Sequence, residues 1–179
     1  MLIRYGVDVN AQDYHGRTAL SFAIQSESTD LVEFLLETGQ VDMNLPDEFC
    51  QTPLMQVCKG KNQEILKLLI AYGANPNIQD NNGKTSLIYL CGNKRYYRDS
   101  AIAEYVLENG ANPLIKDNNG KSPLIWASQC KKIKMVETLI KKGAKINDQD
   151  NSGYTALYYA NKHHYNDVIN LLKNNGGTI

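Results

Sequence analysis

The feature that most constrains this chain is a set of landmarks that recurs five times. Asp13, Asp47, Asp80, Asp117 and Asp150 open successive segments, at steps of 34, 33, 37 and 33 residues. Three residues after each stand Gly16, Cys50, Gly83, Gly120 and Gly153. A short signature follows: Thr-Ala-Leu from Thr18, Thr-Pro-Leu from Thr52, Thr-Ser-Leu from Thr85, Ser-Pro-Leu from Ser122 and Thr-Ala-Leu from Thr155. Each segment closes on a glycine, at Gly39, Gly73, Gly110, Gly143 and Gly176, and Gly6 closes an earlier, incomplete one. A fixed period of this length means stacked supersecondary units that share one core.

Each landmark has a local physical reason. A Thr or Ser hydroxyl before an apolar stretch accepts an orphan backbone N–H and caps a helix. Pro53 and Pro123 sit at the first helical position, where a missing N–H costs nothing. The closing glycines suit the left-handed residue that ends a helix. Between these marks run two short apolar stripes. In the first segment they are Leu20, Phe22, Ala23 and Ile24, then Leu31, Val32, Phe34, Leu35 and Leu36. Spacings of three and four predict two short amphipathic helices per segment, neither able to bury its apolar side alone.

The pattern resembles the ankyrin-repeat family, with its period near 33 and its T-P-L-H-x-A signature. The resemblance covers essentially the whole chain. It implies an all-α repeat solenoid in which each repeat is a turn or β-hairpin followed by two antiparallel helices. The expected organisation is a single domain over 1–179. It comprises a partial repeat at 1–12 and repeats at 13–46, 47–79, 80–116, 117–149 and 150–179. The chain departs from the family at the histidine after T-P-L, where Ser21, Met55, Ile88, Ile125 and Tyr158 stand. Glu27, Lys61, Lys94, Lys131 and His164 replace the usual glycine between the helices, which predicts strained or shifted turns. Gln40-Val41-Asp42 lengthens one loop, and the segment 92–100 gains four residues.

The start near Leu2 and Ile3 implies a longer protein or a degenerate first repeat, and predicts reduced cover over Leu20 and Phe22. The polar last segment, with Asn161, Lys162, His163 and His164, reads as a C-terminal cap.

Composition narrows the function classes. Formal net charge is zero, so the overall basic excess of a nucleic-acid binder is missing. Charge is nonetheless uneven: residues 1–50 are acidic, whereas 116–145 carry eight lysines against Asp117 and Glu137. Aromatic residues do not interleave with that basic stretch along the sequence, which argues against a single-strand stacking platform. No apolar run reaches membrane-spanning length. Cys50, Cys58, Cys91 and Cys130 form no metal-ligand spacing and read as reduced thiols, which favours a cytoplasmic setting. His15, His163 and His164 converge with no nucleophile, so no enzyme, cofactor or metal site is expected. The expected chain is a monomer.

The resemblance implies protein–protein recognition through hairpin tips and the exposed side of the first helix. Carried onto this sequence, the tips offer Tyr14, His15, Arg17, Phe49 and Tyr154. The first helices offer Met55, Ile88, Ile125 and Tyr158, with the apolar three either lining a groove or filling space between repeats. Turn geometry does not require aromatics at Tyr14, Phe49 and Tyr154, and aromatic residues with Arg dominate binding hot spots. Arg95, Tyr96, Tyr97 and Arg98 lie in the insertion, where neither core nor repeat demands them. Trp126, at a position equivalent to Phe22, Gln56, Tyr89 and Tyr159, reads as core packing. The alternative reading is a spacer within a larger ankyrin-repeat protein whose activity lies outside this chain.

Overall fold

Seven- to nine-residue helices are too short to persist alone, since isolated helices below about 12–15 residues are marginal in water. Packing must therefore hold every helix in this chain. The computed structural model describes residues 7–94 and 101–179, and among these the chain forms ten α-helices and no strands. The chain divides into two compact units, residues 1–75 and 76–179.

The first unit holds α1 (Ala19–Gln25), α2 (Thr29–Glu37), α3 (Pro53–Lys59) and α4 (Gln63–Ala71). Helices pair within each repeat, α1 with α2 and α3 with α4, while α1 packs on α3 and α2 on α4. Leu20, Val32, Leu54, Ile65, Leu66 and Leu69 are buried in the shared core. The second unit repeats this plan three times. It holds α5 (Ser86–Gly92), α6 (Ala101–Glu108), α7 (Pro123–Gln129), α8 (Ile133–Lys141), α9 (Ala156–Lys162) and α10 (Asn166–Asn174). First helices α5, α7 and α9 stack in one row and second helices α6, α8 and α10 in another.

Every expected cap forms. The hydroxyls of Thr18, Thr52, Thr85, Ser122 and Thr155 accept the N–H three residues on. Glu27, Lys131 and His164 do adopt left-handed backbone, at φ of 53°, 56° and 55°. The second repeat avoids this at Lys61, because Gly60 ends α3 in an extended conformation. Leu20 is fully covered, contrary to expectation, whereas Phe22, Leu31 and Phe34 stay about half exposed. Phe22 therefore does not pack as a core residue.

The tips are built on the repeated aspartate. One carboxylate oxygen of Asp117 accepts the N–H groups of Asn119 and Lys121 at 3.0 and 2.9 Å. Asp13, Asp47, Asp80 and Asp150 bind their own tips in the same way. The second oxygen reaches the residue nine positions on, in the first helix. It accepts from Gln56 Nε2, Tyr89 Oη, Trp126 Nε1 and Tyr159 Oη at 3.3, 2.5, 2.9 and 2.7 Å. In the first repeat that residue is Phe22, which has no donor, and Arg17 Nε takes the oxygen of Asp13 instead.

Neighbouring repeats are stitched at two levels. At the tips, single backbone bonds run from Glu48 N to His15 O, Asn118 N to Asn82 O and Asn151 N to Asn119 O. At the closing loops, Asn10, Asn77 and Asn147 each donate to a carbonyl and accept an N–H of the following loop. Asn44 accepts the N–H of Asn75. The fourth repeat has Leu114 at this place, and there Lys116 Nζ reaches Gln149 O at 3.1 Å and Asp148 at 3.3 Å.

Two outcomes are expected. A Cβ on Gly83, at φ 73°, would meet Asn118 N at 2.7 Å, whereas one on Gly153, at φ 79°, would meet nothing. Gly83→Ala should therefore cost about 2 kcal/mol or more, and Gly153→Ala only about 1 kcal/mol of backbone strain, read from urea midpoints. Equal losses would contradict the tip geometry. Acid should also loosen the first tip. The hydrogen bond from Arg17 holds the Asp13 carboxyl down at about 2, below the usual carboxylate range. A depressed carboxylate stabilises the fold above its unfolded value, and that share is lost as pH falls from about 4 towards 2. Asp13→Asn should flatten the decline in stability across that window.

Candidate partner-binding surface

The exposed edge of each unit is made of tips and first helices, and the two units dress it differently. In the first unit, Tyr14 stands fully in solvent and Phe49 is 58% exposed. His15 Nδ1 lies 2.8 Å from Glu48 Oε1. Arg17 is held by Asp13 and lies 4.7 Å from the centre of the Phe22 ring. Between these tips and the helices lies a cleft of about 400 Å³, lined by Arg17, Gln25, Phe49, Gln51, Gln56 and Lys59 among others. Its walls combine amides with the cations Arg17 and Lys59, the carboxylates Glu27 and Asp47, and the exposed ring of Phe49. Such a mixed lining suits recognition of another polypeptide's backbone and side chains.

In the second unit, aromatic rings and lysines alternate. Tyr89, Trp126 and Tyr159 are each fixed by their hydrogen bond to an aspartate. Lys84 Nζ lies 5.7 Å from the Tyr89 ring and 4.5 Å from Trp126. Lys121 Nζ lies 5.3 Å from Trp126 and 4.3 Å from Tyr159. The order is therefore Tyr89, Lys84, Trp126, Lys121, Tyr159, a ladder in which each ammonium sits against two ring systems. Lys121 also donates to Gln129 Oε1 at 3.0 Å. In the last repeat Tyr154 replaces the lysine. Its ring stacks on Tyr158 at 3.9 Å between centres, and both rings meet Tyr159 edge-on. Burial raises the Tyr159 hydroxyl well above its usual range, and the bond to Asp150 adds to this. Burial alone would also raise Asp150, but the bonds from Tyr159, Tyr154 and Ser152 hold it below its usual value.

Several expectations need correction. Met55, Ile88 and Ile125 are each about 1% exposed, so they fill space between repeats and line no groove. The reason is chemical: these side chains have no hydrogen bond to make at the surface and gain most by leaving water. Trp126 is half-buried, and its indole N–H ties the tip to the helix rather than simply filling the core. Aromatics do interleave with lysines, because the nine-residue reach from tip to helix brings together residues that the sequence separates. Arg95, Tyr96, Tyr97 and Arg98 lie outside the described residues. Tyr14, His15, Arg17 and Phe49 fall together on the first unit, and Tyr154 with Tyr158 on the second. Sequence reasoning did not bring Tyr89 and Tyr159 together with the tip lysines.

Two of the four thiols are withdrawn from solvent. Cys58 and Cys91 are fully buried, and burial pushes the Cys91 thiol far above its usual range. Burial also raises Cys130, against the opposing pull of Lys94, Lys132 and Lys121. Among the described residues, no three His, Cys, Asp or Glu side chains are placed to hold a metal ion. None of the described helices is long and apolar enough to cross a membrane.

Family models described as ankyrin repeats match residues 2–54, 39–117 and 95–179. The chain is 29% identical over 167 residues to a Saccharomyces cerevisiae protein named probable 26S proteasome regulatory subunit p28, covering 90% of this chain and 71% of that one. Two ankyrin repeat proteins of Acanthamoeba polyphaga mimivirus are 37% and 32% identical over 68 and 108 residues, 38% and 60% of this chain. The chain spans only 9% and 14% of those two proteins. With the repeated caps, tips and paired helices, these matches place the chain in the ankyrin-repeat family.

Proposed function

We propose that this chain is a protein-recognition module that binds its partner through tip residues and the exposed side of its first helices. Ankyrin repeats generally mediate protein–protein interaction. One observation carries the reading. Tyr14, Phe49 and Tyr154 stand exposed on tips whose turns are set by an aspartate and a left-handed residue, a geometry that requires no aromatic ring. Exposed aromatics beside Arg17 and His15 are what a hot spot is made of. The segment 92–100, with Arg95, Tyr96, Tyr97 and Arg98, supplies a further contact in this reading. The partner is a protein, and the module works as a cytoplasmic monomer without a cofactor. A second reading is favoured by the length of the mimivirus relatives: the repeats space or position an activity elsewhere in a larger protein.

The test compares the parent chain with a Tyr14→Ala, Phe49→Ala, Tyr154→Ala variant in quantitative affinity capture, with circular dichroism to check folding. Tyr14 and Phe49 are exposed, and losing the Tyr154–Tyr158 stack should cost only about 1 kcal/mol, so the fold should be kept. Loss of one captured protein by about tenfold or more is expected, in keeping with hot-spot energetics. An unchanged set of captured proteins, with the Arg95–Arg98 alanine variant unchanged as well, would remove the reading.

A further inference from the structure

The ladder on the second unit has a property that its folding role does not use. Its two ammonium groups form no ion pair among the described residues: Lys84 and Lys121 make ring contacts, and Lys121 a bond to a neutral amide. Lys121 stands near enough to Asp150 to help hold its carboxyl down, but the tip carboxylates are committed to their own turns and helices. Asp80, Asp117 and Asp150 are 5–7% exposed, and both oxygens of each already accept hydrogen bonds. The surrounding unit carries 14 Lys and Arg against 9 Asp and Glu, a net charge of +5, whereas residues 1–75 carry 5 against 10. Cations in such a field attract a segment of opposite sign.

We infer that the Lys84–Lys121 ladder reads an extended, acidic segment of a protein partner, with carboxylates three residues apart. This rests on the protein-recognition reading and names the partner's chemistry. The geometry sets an upper limit on the spacing. Both ammonium groups lie against the same indole, at 4.5 and 5.3 Å from its ring, so they stand no more than about 10 Å apart. An extended chain with three residues per turn rises about 3.1 Å per residue, so its side chains at i and i+3 fall on one face about 9 Å apart, which that limit accommodates.

Affinity follows from preorganisation. A free lysine loses much rotamer freedom when it binds, but these two are already held against rings. Exposed Lys162, close to Tyr154, extends the charge towards the stacked Tyr154–Tyr158 pair, where an apolar residue of the same segment can rest. The ring arrangement disfavours a nucleic acid. The rings that would stack bases are already in contact with lysines, and Tyr154 and Tyr158 cover each other.

Trp126 is the sole tryptophan, so the ladder carries its own reporter. The experiment follows its fluorescence in the full chain while titrating a peptide of four Glu-Gly-Ser repeats. A Lys-Gly-Ser peptide and an oligothymidylate of similar length are the comparisons. A saturable change below about 1 mM is expected with the acidic peptide, weakening as salt rises, and none with the basic one. Lys84→Gln with Lys121→Gln should weaken binding about tenfold, while Lys84→Arg with Lys121→Arg retains it. Lys134→Gln with Lys145→Gln removes the same charge elsewhere on the unit and should change affinity less than about twofold.

The inference is overturned by any of three results: no saturable response, equal losses in the two glutamine pairs, or tighter binding of the oligothymidylate. If the peptide fails while affinity capture still yields a partner that depends on Tyr14, Phe49 and Tyr154, the recognition reading survives and the acidic segment alone is wrong.

Discussion

Everything on the exposed edge depends on a carboxylate that is used twice. Each tip aspartate spends one oxygen on two backbone N–H groups of its own turn and the other on a side chain in the helix beyond. The turn is thereby fixed to the helix it introduces. Without that link, a helix of seven residues would begin from a free loop, and helix initiation is the costly step. Charge assistance makes these bonds stronger than neutral ones, which suits a joint at the edge of the molecule where water competes.

The same link decides what the surface can present. A donor is needed nine residues after the aspartate, and the second unit satisfies this with two tyrosines and a tryptophan. Large rings held by their polar ends leave flat faces between neighbouring tips. The residue four after the aspartate then lies against those faces, and it is lysine in two repeats. A folding constraint thus creates a recognition surface as a by-product. The first unit satisfies the constraint with glutamine or arginine and presents a cleft instead.

The fold was legible because its signals are local and repeated: Asp, Gly, the hydroxyl cap and the closing glycine all act within a few residues. The site was legible only in part. Tyr14, Phe49 and Tyr154 could be picked out as aromatics that no turn requires. Met55, Ile88 and Ile125 could not be placed, because a three-residue shift around a short helix separates groove from core, and periodicity alone does not say which neighbour covers them. The ladder was hidden for another reason. Its members sit at four and nine residues from an aspartate, on different elements, and no hydrophobic period connects them. A signal was nonetheless present. The aspartate is followed at nine by a hydrogen-bonding side chain in four repeats, and the one exception, Phe22, coincides with Arg17 nearby. The Asn residues at 10, 44, 77 and 147 are a further recurring mark that joins adjacent loops.

Leu114 breaks that last mark, and the seam beneath Trp126 and Tyr159 is closed differently from the rest. Elsewhere neutral amides join the loops, whereas here one ammonium bridges to a carbonyl and a carboxylate. Amide bonds are indifferent to dissolved ions, but a partly exposed ion pair is screened by them. The closing loops at this seam therefore have a tightness that follows ionic strength, under the rungs where Lys121 is held. Salt acts on this surface from below as well as from the front: it weakens attraction to an incoming charge and loosens the footing of the residue that would meet it.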